Sequence, residues 1–195
     1  MRINQQQIRA IISLFTARSW TARISAIIVL ALAAFTWWNQ SQVSAGQLVK
    51  GGQIHGEVVA VADGDTVTLL DKENKQFKLR LAYIDAPEKA MPFGQAAKQS
   101  LSDLVYRQTV SADIDDVDRY GRGVARIKKG EQDINLTQVA AGLAWHYAIY
   151  AKKTQSRSDF SQYHDAQQAA QSSQMGLWQD RDPTPPWDWR RNQRQ

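Results

Sequence analysis

Residues 57–84 read EVVAVADGDTVTLLDKENKQFKLRLAYI, and the alternation inside this stretch decides the fold. Residues 57–61 (EVVAV) are rich in β-branched side chains and predict a strand. Ala62-Asp63-Gly64 is a turn signal, and residues 65–70 (DTVTLL) predict a second strand. The polar turn 71–75 (DKENK) leads to residues 76–84 (QFKLRLAYI). These predict a third strand, with Phe77, Leu79, Leu81 and Tyr83 on one face and Lys78, Arg80 and Ala82 on the other.

Moving outward, the period changes. In residues 92–108, Phe93, Ala96, Ala97, Leu101, Leu104 and Val105 recur at helical spacing. Residues 109–114 and 123–127 read as two further strands. Residues 134–146 predict a helix with Leu136, Val139, Ala140 and Leu143 aligned, and residues 158–175 predict a third. Five short strands with a helix after the third make an α+β protein, a five-stranded OB-fold-type barrel with about three flanking helices. The expected organisation is a barrel domain over 53–180, a linker over 46–52 and a Pro/Trp/Arg-rich tail over 181–195.

Composition narrows the chemistry. The 195 residues include no Cys, which excludes disulfides, thiolate metal sites and a cysteine nucleophile. Three His (His55, His146 and His164) are too few for a His-based zinc cage, so a metal here must bind mainly through oxygen. The net charge of +5 is misleading. Residues 1–49 carry Arg2, Arg9, Arg18 and Arg23 without an acid, which leaves twenty basic residues against nineteen acids beyond them. The globular part is nearly neutral, so a nucleic-acid partner must be argued from local clusters rather than bulk charge.

The N-terminus reads as an export segment. Residues 24–38 (ISAIIVLALAAFTWW) form an uncharged run behind Arg18 and Arg23, and Val43-Ser44-Ala45 follows as a small-residue cleavage site. Residues 1–45 are thus a signal peptide or, with Trp37 and Trp38 at an interface, an uncleaved anchor through residues 24–38. Either reading makes the domain extracytoplasmic: periplasmic, secreted or tethered to the membrane.

Four clusters can carry chemistry. Asp63-Gly64-Asp65-Thr66 is an ordinary hairpin turn or a ligand-bearing one. Asp85-Ala86-Pro87-Glu88 follows the third strand, where Pro87 keeps Ala86 extended and two carboxylates can converge. Arg80 lies on the polar strand face. Asp118-Arg119-Tyr120-Gly121-Arg122-Gly123 has glycines that permit tight geometry around Arg122. Together they offer oxygen ligands for a hard cation such as Ca²⁺ and two guanidiniums suited to a phosphate. That combination fits metal-assisted phosphodiester hydrolysis. The alternative is a non-catalytic OB-fold module binding single-stranded nucleic acid or a protein ligand; such a module has no need for acids beside a phosphate path.

These clusters, V-A-D-G-D-T-V (61–67), R-L-A-Y-I-D-A-P-E (80–88), P-F-G-Q-A-A-K (92–98), D-R-Y-G-R-G (118–123), G-L-A-W-H-Y (142–147) and G-L-W (176–178), together resemble the staphylococcal nuclease-like (thermonuclease) family. P-P-W-D-W-R (185–190) resembles the tails of its bacterial members. The resemblance implies a monomeric Ca²⁺-dependent endonuclease acting on DNA, and on RNA, with little sequence preference. It implies Asp65 and Asp85 as Ca²⁺ ligands with the Ala86 carbonyl assisting, and Glu88 as the residue that orients or deprotonates the attacking water. It implies Arg80 and Arg122 as the pair that neutralises the phosphate, with Tyr120 beside the nucleotide. Ala86 stands where the pattern often has Thr, which leaves a backbone-carbonyl role intact. Ala148 stands where the best-known member has Tyr, and Tyr147 and Tyr150 flank it as base-stacking candidates. His146 reads as a packing residue; Trp187 and Trp189, interleaved with Arg190 and Arg191, offer either base stacking or, as the favoured reading, a tail packed back onto the barrel.

Overall fold

The computed structural model describes residues 24–25, 27–32 and 44–193. The chain divides into two units, residues 1–44 and 45–195. In the first, residues 24–25 and 27–32 are helical. The rest of the apolar run and Val43 of the expected cleavage site lie outside the described residues. Among the described residues, no helix is long and apolar enough to cross a membrane.

The second unit holds the barrel. Its strands are β1 (Gln53–Val61), β2 (Thr66–Leu70), β3 (Lys75–Leu81), β4 (Thr109–Val117) and β5 (Gly123–Lys129). The pairs β1–β2, β2–β3, β1–β4 and β4–β5 are antiparallel, and β3 closes the barrel by pairing parallel with β5. Alternation along the strands sends Val58, Val67, Leu69, Phe77, Leu79, Leu81, Ala112, Ile114 and Ile127 inward, all buried. The amphipathic helix α1 (Gly94–Val105) adds Ala97, Leu101 and Val105 to that core.

Residues 46–52 are held to the barrel: the Gly46 N–H donates to the Gln76 carbonyl, and Gly51 and Gly52 exchange backbone hydrogen bonds with Ile114. Three short helices and a longer one follow, α2 (Ile134–Ala140), α3 (Ala148–Ala151), α4 (Arg157–Ser172) and α5 (Pro186–Asn192).

The helices predicted over 92–108 and 158–175 end at Val105 and Ser172, and two further elements also end before their predicted bounds. The third strand stops at Leu81, because Ala82 and Tyr83 turn, with Tyr83 in the left-handed region at φ 65°. The helix predicted over 134–146 stops at Ala140, and Trp145–His146 forms a two-residue strand instead, antiparallel to Ile84–Asp85. Both departures have one cause. Ala82, Tyr83, Ile84 and Ala144 are all buried without continuing the strand or the helix, and the pairing between two distant segments is a tertiary choice that local period does not encode.

Candidate active site

Register brings the four clusters to one end of the barrel. Arg80 on β3 lies opposite Thr66 of β2 and, on its other side, beside Val124 of β5. Asp65 precedes Thr66 by one residue and Arg122 precedes Val124 by two, so both flank Arg80. The turn at Ala82–Tyr83 then folds the chain back, and the pairing of Asp85 with Trp145 fixes the returning segment.

Gly64 lets the Asp63–Asp65 turn pack down: a Cβ there would sit 2.6 Å from the Ala97 Cβ and 2.8 Å from the Ala86 Cβ. Two buried amides hold these turns from below. Gln138 Nε2 donates to the carbonyls of Gly64 and Ala97, each at 3.0 Å. Asn135 Nδ2 donates to those of Ala82 and Ala125, while its Oδ1 accepts from the Ile127 N–H.

Arg80 bridges the acids, with Nη1 donating to Asp65 Oδ1 at 2.8 Å and Nη2 to Asp85 Oδ1 at 2.6 Å. Asp65 is 3% exposed and Asp85 0%. Asp65 also accepts from Thr66 Oγ1 and, at 3.0 Å, from the Ala86 N–H. Burial is the largest influence on the Asp65 carboxyl and raises it; Arg80 pulls it back, and repulsion from Asp63 and Asp85 lifts it again, to about 7. The raised value follows first from burial, which the Arg80 guanidinium only partly offsets.

Arg122 is set from its own loop. Asp118 accepts the Arg122 Nε–H at 2.8 Å and the backbone N–H groups of Arg122 and Tyr120. Gly121, at φ +76°, lets the loop close. Among the described residues, the two Nη groups of Arg122 have no hydrogen-bond partner. Tyr120 is 67% exposed, with the Arg119 guanidinium 4.8 Å and that of Arg122 5.5 Å from its ring centre.

A cleft of about 340 Å³ joins these residues: Asp65, Arg80, Ala86, Glu88, Tyr120, Arg122 and Tyr147 all line it. Asp85 lies beneath, and Tyr150 stands one step away. Tyr150 stacks on Tyr147 at 6.2 Å and 13°, and lines an adjoining hollow with Arg80 and Arg122. His146 is buried between Phe160 and Tyr163.

No group of three or more His or acidic residues among the described residues is arranged to hold a metal by itself. A cation would draw on Asp65, Asp85, the Ala86 carbonyl and water. Those are hard oxygen donors, so the residues fit a hard divalent cation.

Residues 78–180 match the family described as staphylococcal nuclease homologue. An uncharacterised endonuclease of Haemophilus influenzae is 45% identical over 137 residues, 70% of this chain and 73% of that protein. The chain belongs to the staphylococcal nuclease family. Two more relatives cover most of the same ground. A micrococcal nuclease of Shigella flexneri is 39% identical over 146 residues, and a protein of Escherichia coli named ParB is 35% identical over 149. Each spans 80% of the relative's own length.

In this family member the cleft has a further wall that sequence reasoning did not place there. Trp187 on α5 stacks on Tyr147 at 5.0 Å and 16°. Arg190, from the same helix, lines the cleft and contacts Asp85 and Glu88. The reading of the tail as packed against the barrel points toward this contact, but nothing local to W-D-W-R-R names its partners.

Proposed function

We propose that this protein is a Ca²⁺-dependent nuclease that hydrolyses phosphodiester bonds of DNA, and of RNA, with little sequence specificity. Nuclease activity accompanies family membership. The observation that carries the finer reading is the cleft in which Asp65, Arg80, Arg122 and Glu88 meet above the buried Asp85. A non-catalytic binding module gives no reason for acids at that position.

When bound, a cation held by Asp65, Asp85 and the Ala86 carbonyl supplies Lewis-acid polarisation of a phosphoryl oxygen. Glu88, which lines the cleft, orients or deprotonates the attacking water. Arg80 and Arg122 donate to the phosphate as negative charge builds on its oxygens. The outer edge of Arg122 is free for that contact. Tyr120, Tyr147 and Tyr150 supply ring faces for the neighbouring bases, a contact indifferent to sequence. All these groups come from one chain, so a single copy holds every group that the reading needs. The export reading of residues 1–45 places it outside the cytoplasm.

Digestion of labelled single-stranded DNA by the full chain tests the reading. Cleavage is expected with Ca²⁺ and lost in chelator. Mg²⁺ should support little turnover, because it demands a tighter octahedron. Equal cleavage in chelator overturns the mechanism.

A further inference from the structure

The tail helix places a positive charge where a cation would have to act. Trp187 and Arg190 are three residues apart on α5 and so share one face. Trp187 lies against Tyr147 and, at 5.6 Å, against Trp145. That anchorage aims Arg190 at the acids. Its Nη2 donates to Asp85 Oδ2 at 2.5 Å, and its Nη1 donates to Asp85 Oδ1 at 3.1 Å and to Glu88 Oε1 at 2.8 Å.

Asp85 thus accepts from Arg80 on one oxygen and from Arg190 on both, with no exposure to solvent. Burial alone lowers the affinity of Arg190 for its proton, and the bonds to Asp85 and Glu88 more than reverse that, so the guanidinium is firmly charged. A divalent cation on Asp85 needs an oxygen that Arg190 now holds, and its charge repels the guanidinium at short range.

We propose that Arg190 sets the cation affinity of the site by competing for Asp85, so that loading the site displaces α5 from the cleft. The proposal rests on the reading of Asp65 and Asp85 as cation ligands. It also makes the tail a cover. While Arg190 occupies the acids, Trp187 covers a face of Tyr147 and Glu88 is engaged; once the cation takes Asp85, both are released to water and substrate.

Calcium binding, read by titration calorimetry, is the test, because freeing Glu88 alters turnover for a separate reason. Full-length wild type, Arg190→Gln and Asp65→Asn are titrated after thermal melts in chelator establish that each is folded. Arg190→Gln should bind Ca²⁺ about tenfold tighter or more, the order expected from removing charge-assisted bonds to one carboxylate. Trp187→Ala, which loosens α5 without touching the acids, should shift affinity in the same direction. Amide exchange in residues 187–192 of the wild type should quicken on adding Ca²⁺. Unchanged or weaker binding by Arg190→Gln overturns the competition, the latter by making Arg190 a support for the ligands. If the wild type binds Ca²⁺ and Asp65→Asn does not, that failure leaves the cation site standing. If no variant binds Ca²⁺, the cation reading and the competition fall together.

Discussion

Arg122 reaches the cleft on a side chain whose stem is fixed by Asp118. The Nε–H makes that bond at 2.8 Å, and the two Nη groups face the space a phosphate would enter. Lysine keeps the charge but loses both the anchor to Asp118 and the planar fork. Arg122→Lys should therefore lower kcat by about 10²–10³ while the protein stays folded, as for other donors aimed at developing charge. Single-turnover rates and circular dichroism on the same samples check this; a folded variant with the wild-type rate removes Arg122 from the chemistry. Glu88→Gln keeps shape and removes the base, so turnover should fall while Ca²⁺ binding persists. Asp65→Asn should weaken Ca²⁺ binding itself. Calorimetry beside the rate measurement separates the two.

The strands deliver these side chains, but α2 decides where the turns between them sit. Asn135 is fully buried and satisfies two carbonyls and one N–H from β5 and the Ala82 turn. Alanine at 135 would strand the Ala82 carbonyl and the Ile127 N–H in a dry interior, while the Ala125 carbonyl keeps the bond it accepts from the Ala82 N–H. Each buried unsatisfied group costs about 1–3 kcal/mol, so Asn135→Ala should lose at least about 2 kcal/mol of unfolding free energy. Urea unfolding measures it; a loss under 1 kcal/mol would mean water replaces the amide. Because the Ala82–Tyr83 turn aims Asp85, Ca²⁺ affinity should fall in the folded fraction as well. The alternation in residues 76–84 names the inward side chains of β3 correctly. It misses the turn because Tyr83 takes its left-handed conformation only where the Ile84–Asp85 and Trp145–His146 strands meet.

Stability of the domain against pH carries opposite contributions from His146 and Asp65, beside those of Asp115 and Asp118. Burial lowers the pKa of His146, the Gln155 bond raises it in part, and His164 lowers it further. Its folded value lies below the unfolded value of about 6.5, so the folded state binds fewer protons. The His146 contribution is full above about pH 6.5 and is lost as pH falls. Asp65 works the other way without cation: its folded pKa is raised to about 7, so its contribution is full below about 4 and lost as pH rises through 7. In chelator, the melting temperature of His146→Gln should therefore fall less than that of wild type between pH 7.5 and 5. Parallel melting curves would show that His146 is not a source of the pH dependence. Export belongs to the chain as a whole. Residues 1–50 fused to a reporter active only outside the cytoplasm should give signal, and a silent reporter removes the proposal.

Much of the molecule was legible in linear order, because alternation in β1–β3 and the helical period of α1 are local consequences of which faces must be dry. The clusters around Asp65, Arg80, Asp85, Glu88 and Arg122 were legible too, since each needs a particular residue type at the end of a strand or in a tight turn. Arg190 was not. Its partners lie about a hundred residues earlier, and a tail arginine in an isolated sequence has the same look whether it is solvated or buried on a carboxylate. The same holds for Asn135 and Gln138, ordinary polar residues on a short helix until packing removes water around them. Barrel closure, through the β3–β5 register and the seating of α5, decided which of these residues meet. The energy of a buried polar contact depends on that meeting and on nothing in the neighbouring sequence.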